Sequence, residues 1–246
     1  MNISSKIEIS IILPAYNEAF RLANNVAKIE ETIAAITPYF EIIIVNDGSN
    51  DQTYLLATGL IKKNIFVISY PNNQGKGHAV KQGMLKAQGK YHLFMDVDLA
   101  TSIDSINQFY NFMKQYPVDI LIGDRKTEPS KQKNKQPFLR RILGQCFIWL
   151  SQMILNCPIQ DFNCGFKMFT AESSQTIFSR QLINRWVFDA EILFIAKKNN
   201  FKIRTLPVVW SHQESSKVRL VKDIFTSFLE LLQIRYNNWQ GLYKCK

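Results

Sequence analysis

The chain has 246 residues, a mass of 28.5 kDa and an apolar fraction of 46%, with no Pro/Gly/Ser-rich linker, so it reads as one domain, 1–246, around a large core. Its formal net charge of +10 and pI near 9.4 call for an anionic partner and leave nucleic acid, anionic lipid and phosphorylated substrates open. No run approaches the ~20 uncharged apolar residues of a membrane span, and MNISSKIEIS lacks the apolar core of a signal peptide, so the expected location is the cytoplasm.

Ile7 to Leu13 reads as a strand, followed by a helix from about Glu18 to Ile36. Phe40 to Val45 is a second strand and Thr53 to Ile61 a second helix. Ile65 to Tyr70 and Tyr91 to Met95 are strands on either side of a helix near Gly77 to Ala87. Ser102 is a candidate N-cap for a helix to Tyr116, and Asp119 to Ile122 is a fifth strand. Apolar strands alternating with helices predict an α/β fold, its mostly parallel sheet covered on both faces. The four cysteines, Cys146, Cys157, Cys164 and Cys245, show neither CxxC spacing nor zinc-type histidine neighbours and are expected to stay reduced.

In such sheets ligands bind beyond the carboxyl ends of the strands. Those ends read PAYNE, NDGSND, PNNQGKG, DVD and GDR, and hold Glu18, Asp47, Asp51, Asp96, Asp98, Lys76 and Arg125. Any one of these loops alone would pass for a turn or a helix cap. Five polar loops on one rim point to a site. Asp96 and Asp98 repel each other across one valine, and burying both uncompensated would be costly. A divalent cation reverses the sign of that interaction, and Mg²⁺ or Mn²⁺ suits an open pair of carboxylates shared with phosphate oxygens.

PAYNEA, IIIVNDGSNDQT, NNQGKGHAVKQGM and FMDVDLATS together resemble the nucleotide-sugar half of family 2 inverting glycosyltransferases of the GT-A fold. LIGDRKTEPS, QDFNCGFKMF, RWVFDAEIL and VVWSHQESSKVRL extend the likeness from about Ile9 to Leu220 and are similar to dolichyl-phosphate β-glucosyltransferases and bacterial polyprenyl-phosphate relatives. The resemblance implies that Pro14, Tyr16 and Glu18 hold the nucleoside, with Glu18 on the ribose hydroxyls. It implies that Asp47 reads the base and that Lys76 lies in the loop closing over the nucleotide. Asp96, Val97 and Asp98 match the donor-metal motif. Ala100 stands where mannose-transferring relatives often carry a glutamine ligand, and ATS is closer to the glucosyl branch. Arg125 matches an arginine facing the acceptor phosphate, and its planar fork suits phosphate oxygens.

Asp189 and Glu191 occupy the place where hydroxyl-transferring relatives keep an acidic base, and where phosphate-transferring ones shape the acceptor site. Asp189 is the one expected to face the site, a helix-starting carboxylate being the competing reading. Asp161 resembles a family acid, with a loop residue bonding backbone amides as the other account. Lys217 matches a basic residue in a loop that folds over the donor. His212 suits a metal shell, a phosphate contact or a polar loop. Asp98, Arg125 and Asp189 are expected to carry the chemistry.

The segment 126–157 is basic and then apolar; Arg140 and Arg141 open a helix with Phe147, Trp149 and Leu150 that suits the membrane interface or an ordinary core. The tail, 220–246, repeats Ile224, Phe225, Phe228, Leu231, Leu232 and Tyr236 at helical spacing beside Lys222 and Arg235, fit for core packing, membrane contact or homo-oligomerisation. The reading is a hexosyltransferase taking glucose or another hexose from a UDP-sugar to a polyprenyl phosphate, peripherally associated with the membrane. Transfer to a saccharide hydroxyl, with Asp189 or Glu191 as base, is the alternative. A nucleotide-binding, membrane-docking protein without turnover is a third. Nucleic acid is not an expected partner, because the lysines cluster beside an apolar stretch and no groove-reading motif occurs.

Overall fold

In the computed structural model, residues 7–125, 151–152, 154, 161, 163–211 and 220–244 are described, 220–225 by backbone alone. The first half alternates as its apolar runs predict: β1 (Ile9–Ala15), α1 (Leu22–Ile36), β2 (Phe40–Asp47), α2 (Thr53–Gly59), β3 (Ile65–Tyr70), α3 (Lys76–Lys86), β4 (Tyr91–Met95), α4 (Ser105–Gln115) and β5 (Ile120–Asp124). The second half contributes β6 (Phe166–Thr170), α5 (Ala171–Arg180), α6 (Phe188–Lys198), β7 (Ile203–Pro207) and α7 (Leu220–Trp239). The seven strands lie in the order β3-β2-β1-β4-β6-β5-β7, and every pairing is parallel except the two that β6 makes.

Strand β1 shows why its sequence is apolar on both faces, with Ser10, whose hydroxyl donates to Glu41, as its one polar residue. Ile11 and Leu13 face the α1 and α4 side of the sheet, and Ile12 faces the α3 side, all with no exposed surface. A strand with helices on both faces needs apolar residues at both parities. The helices keep their own period: Leu22, Val26, Ile29 and Ile33 form the buried stripe of α1. Helix α6 is buried from Phe188 through Ala196, which is why its sequence shows little amphipathicity.

Several boundaries differ from the sequence reading by one to four residues, and three of the differences have a visible cause. Strand β1 lies two residues later than Ile7 to Leu13, because its pairing with β2 runs from Ile9 on Phe40 to Ala15 on Asn46. Helix α1 starts at Leu22 instead of near Glu18, since Glu18 and Ala19 give their amides to Thr53 Oγ1 and Asp51 Oδ2. Ser102 does not cap α4: its Oγ accepts the Asp104 amide at 3.3 Å and donates to Asp104 Oδ2 at 2.9 Å, closing the turn that precedes the helix.

The antiparallel β6 was not legible in the motifs. It runs against β4, with Met95 opposite Phe166, so its amino end arrives at the rim where the parallel strands end. Gly165 therefore sits beside Asp96, whose amide donates to the Gly165 carbonyl at 3.1 Å.

Candidate active site

Strand order reverses between β1 and β4, which opens a crevice at their carboxyl ends. Pro14, near the end of β1, and Tyr16 and Glu18, in the loop after it, are all partly buried. Glu18 Oε2 forms an ion pair with Arg21, 2.9 Å from its Nε. This loop is laced to the one after β2: Asn17 N donates to Ser49 Oγ at 3.0 Å, and Asn50 N to Asn17 Oδ1 at 2.8 Å. Asp47, at the end of β2, is 3% exposed. Its oxygens accept from Asn73 Nδ2 at 2.8 Å, Gln74 N at 2.8 Å and Gly75 N at 2.9 Å. The carboxylate thus braces the PNNQGKG loop. Gly48 permits that approach, because it has φ of +59° and a Cβ there would lie 2.4 Å from the Asn72 carbonyl carbon.

The DVD loop turns tightly, with Leu99 at φ of 55°. Alternation puts Val97 into the core, 3% exposed, and leaves Asp96 and Asp98 together on the open side. Asn25 Nδ2 holds the Val97 carbonyl at 2.8 Å and Ala100 N donates to Asp98 Oδ1 at 2.9 Å. The stretch after β7 clasps the loop from outside, through Ser102 N on Val209 O and Ser211 N on Ala100 O. Burial, and then the charge of Asp96, raise the pKa of Asp98 above the ordinary carboxylate value. Such a pair gains from a cation.

Two features support that donor set. Lys76 Nζ lies 2.5 Å from Asp96 Oδ1, an ammonium standing where positive charge is wanted. A Cβ on Gly165 would come within 2.0 Å of Asp96 Oδ2, so glycine keeps the carboxylate's seat clear. Two hard carboxylate groups fit Mg²⁺ or Mn²⁺. Among the described residues no third acidic, histidine or cysteine side chain joins them, so substrate oxygens or water would complete the shell.

Behind Lys76 lies a second ion pair. Lys167, on β6 and without exposed surface, donates to Asp189 Oδ1 and to the Cys164 carbonyl at 2.6 Å. Asp189 begins α6, where the helix dipole favours a negative charge, and is 5% exposed. Burial raises its pKa, opposed by Lys167 and then Lys76. Burial works against the Lys76 ammonium, but Asp96, Asp189 and Asp98 outweigh it and push its pKa above the usual lysine value. Cys164 is buried and free, and burial pushes its thiol up to about 11.

On the far side of the DVD loop, Arg125 follows β5. Its Nε and Nη2 grip Asp161 at 2.9 and 2.6 Å, its amide adds a third bond at 3.0 Å, and its guanidinium lies 5.5 Å from the Trp210 ring centroid. Burial opposes the charge of Asp161, yet the hydrogen bonds and charge of Arg125 hold its pKa below the usual carboxylate range.

The structure therefore gathers Glu18, Asp47, Lys76, Asp96, Asp98, Arg125, Asp161 and Asp189 along one edge of the sheet. It does not bring Glu191 to that edge. Glu191 has no exposed surface, and its carboxylate accepts from Leu182 N, Ile183 N and the Tyr243 hydroxyl. Arg140, Arg141, His212 and Lys217, with segment 126–157 apart from 151, 152 and 154, lie outside the described residues. Lys167, Asn25, Gly165 and Trp210 were missed; only Lys167 left a signal, a lone cation inside the apolar run FKMF. A separate groove of about 620 Å³, lined by Glu8, Thr37, Tyr39, Tyr110 and Lys114 among others, holds none of these groups.

Residues 10–186 match the family model described as Glycosyl transferase family 2. The chain is 35% identical over 253 residues to the dolichyl-phosphate beta-glucosyltransferase of Dictyostelium discoideum, covering 98% of this chain and 77% of that protein. The Homo sapiens protein of the same name is 30% identical, with 96% and 78% covered. Among solved structures, glucosyl-3-phosphoglycerate synthase from Mycobacterium tuberculosis in complex with UDP superimposes with a TM-score of 0.67 at 17% identity, over 94% of this chain and 80% of that one. The same synthase with Mn²⁺, UDP-glucose and phosphoglyceric acid gives 0.66 at 16%, over the same shares. These likenesses establish the GT-A fold.

Proposed function

The chain is a member of glycosyl transferase family 2, and on that premise we propose that it moves glucose from UDP-glucose to dolichyl phosphate, or a closely similar polyprenyl phosphate, with inversion at the anomeric carbon. The relatives' names support this donor sugar and acceptor, and UDP-glucose with Mn²⁺ in a structural neighbour supports the donor class. The observation that carries the choice of acceptor is the state of Asp189. The carboxylate that a hydroxyl acceptor would need as base is 5% exposed and held by Lys167. A phosphate monoester has a second pKa of about 6 and arrives as an oxyanion, so it needs a cation more than a base.

The residues then divide the work. Glu18, steadied by Arg21, receives the ribose hydroxyls, and Asp47 orders the loop that covers the nucleotide. A Mg²⁺ or Mn²⁺ held by Asp96 and Asp98 would neutralise charge on the departing diphosphate. Lys76 offers a second positive charge to the same oxygens. Arg125, with Nε and one Nη2 donor fixed by Asp161, turns its Nη1 edge to the acceptor phosphate. One phosphate oxygen forms the bond to the anomeric carbon while the bond to the β-phosphate oxygen breaks, and the electron pair leaves with UDP.

No helix among the described residues is long and apolar enough to cross a membrane. Contact with the cytosolic membrane surface is supported by the net charge of +10 and by the exposed Phe228, Leu229, Leu232, Tyr236 and Trp239 of α7. The test is a UDP-release screen of UDP- and GDP-sugars with and without a short polyprenyl phosphate. Release from UDP-glucose on adding the lipid phosphate is expected; stimulation by saccharides alone would reverse the acceptor assignment. Asp98→Asn should abolish turnover, and Arg125→Ala should chiefly impair use of the lipid phosphate.

A further inference from the structure

We propose that Lys76 is the resident counter-ion of Asp96, and that a nucleoside diphosphate must draw it away before a divalent cation binds well, so that cation and diphosphate enter as a coupled pair. The inference rests on the donor reading above and adds to it an order imposed by one side chain. Lys76 Nζ occupies Asp96 Oδ1 at 2.5 Å, and an ammonium and a divalent cation cannot share that oxygen without like-charge repulsion. The neighbourhood leaves the ammonium few places to go. Of the other anions close to it, Asp189 is already engaged by Lys167, and Asp98 belongs to the same donor pair as Asp96.

The charge balance points the same way. Asp96, Asp98 and Asp189 with Lys76 and Lys167 leave one net negative charge. Lys167 and Asp189 are buried, and the side chains of Lys76 and Asp96 are only 23% and 37% exposed. A divalent cation alone would turn this poorly solvated cluster net positive. The diphosphate of a nucleotide brings the balance back and gives the displaced ammonium a partner. Lys76 is also the first residue of α3, where the helix dipole disfavours a cation and favours an anion. Gly75 N and Gln74 N, both fixed on Asp47, hold the stem of this residue in place, so the ammonium moves by side-chain rotation.

Mn²⁺ binding to the full chain, read by electron paramagnetic resonance of the free ion, tests this with and without UDP. Wild-type protein should bind Mn²⁺ roughly tenfold or more tightly when UDP is present. Lys76→Met and Lys76→Gln should bind Mn²⁺ alone more tightly than wild type by about tenfold, with the gain from UDP shrinking by the same factor, since coupling is reciprocal. Lys76→Arg, which keeps the charge, should retain the coupling. Unchanged or weaker binding of Mn²⁺ alone by both neutral variants, with UDP binding intact, overturns the role of Lys76 and leaves the donor reading standing. Failure of the wild-type chain to bind UDP with Mn²⁺ at all overturns both.

Discussion

Arg125 and Asp161, 36 residues apart in the chain, meet edge to edge: Nε lies 2.9 Å from Oδ2 and Nη2 2.6 Å from Oδ1. This pair fixes the guanidinium plane before any phosphate arrives. Asp161 is 3% exposed, so removing its partner would strand a buried charge. Asp161→Asn is expected to cost about 3 kcal/mol in urea denaturation, the low end for a buried pair because Arg125 retains 29% exposure. Arg125→Lys should keep UDP binding yet lose most lipid-phosphate use, because a single ammonium cannot reproduce the fork.

Gly165→Ala should separate folding from metal chemistry. The added Cβ would meet Asp96 Oδ2 at 2.0 Å, and the carboxylate, being a side-chain end, can swing aside. Thermal melting should change little. Metal-dependent UDP release should fall by roughly 10²-fold, the scale of a 1 Å misplacement at a reacting centre. Wild-type activity in this variant would show that Asp96 is not held where the chemistry needs it.

Glu191 is a structural carboxylate in this fold, and Tyr243→Phe tests that. The hydroxyl of Tyr243 donates to Glu191 Oε1 at 2.6 Å and accepts from Asn237 Nδ2 at 3.0 Å, and all three side chains are buried. Losing it leaves buried polar atoms short of a partner, at about 1–3 kcal/mol. Chemical denaturation should register that loss while UDP release per folded molecule stays at the wild-type level.

Acid should weaken the fold through His92. Burial lowers its pKa from 6.5 to about 4, and the ring is bonded to Ser174 Oγ and the Gly89 carbonyl. The folded chain keeps this imidazole neutral while the unfolded chain takes up a proton below pH 6.5. Its contribution is therefore complete above that pH and is lost progressively as pH falls towards 4, by about 3 kcal/mol in all. Stability measured against pH should lose this part of its slope in His92→Gln.

The sequence by itself determined the alternation of β1 to β5 with their helices and the place of Asp96 and Asp98 at a strand end. Those features are local: a strand covered on both faces must be largely apolar, and the polar loop that follows it marks its rim. It also marked Lys76, Arg125 and Asp189 through the motifs that hold them. Only the tertiary structure decided what those groups face. The antiparallel insertion of β6 carries Gly165 to Asp96 and Lys167 to Asp189, and the end of the chain turns Glu191 inward through Tyr243. Such partners stand 22 to 69 residues apart, and no periodicity in a chain encodes a meeting across that distance.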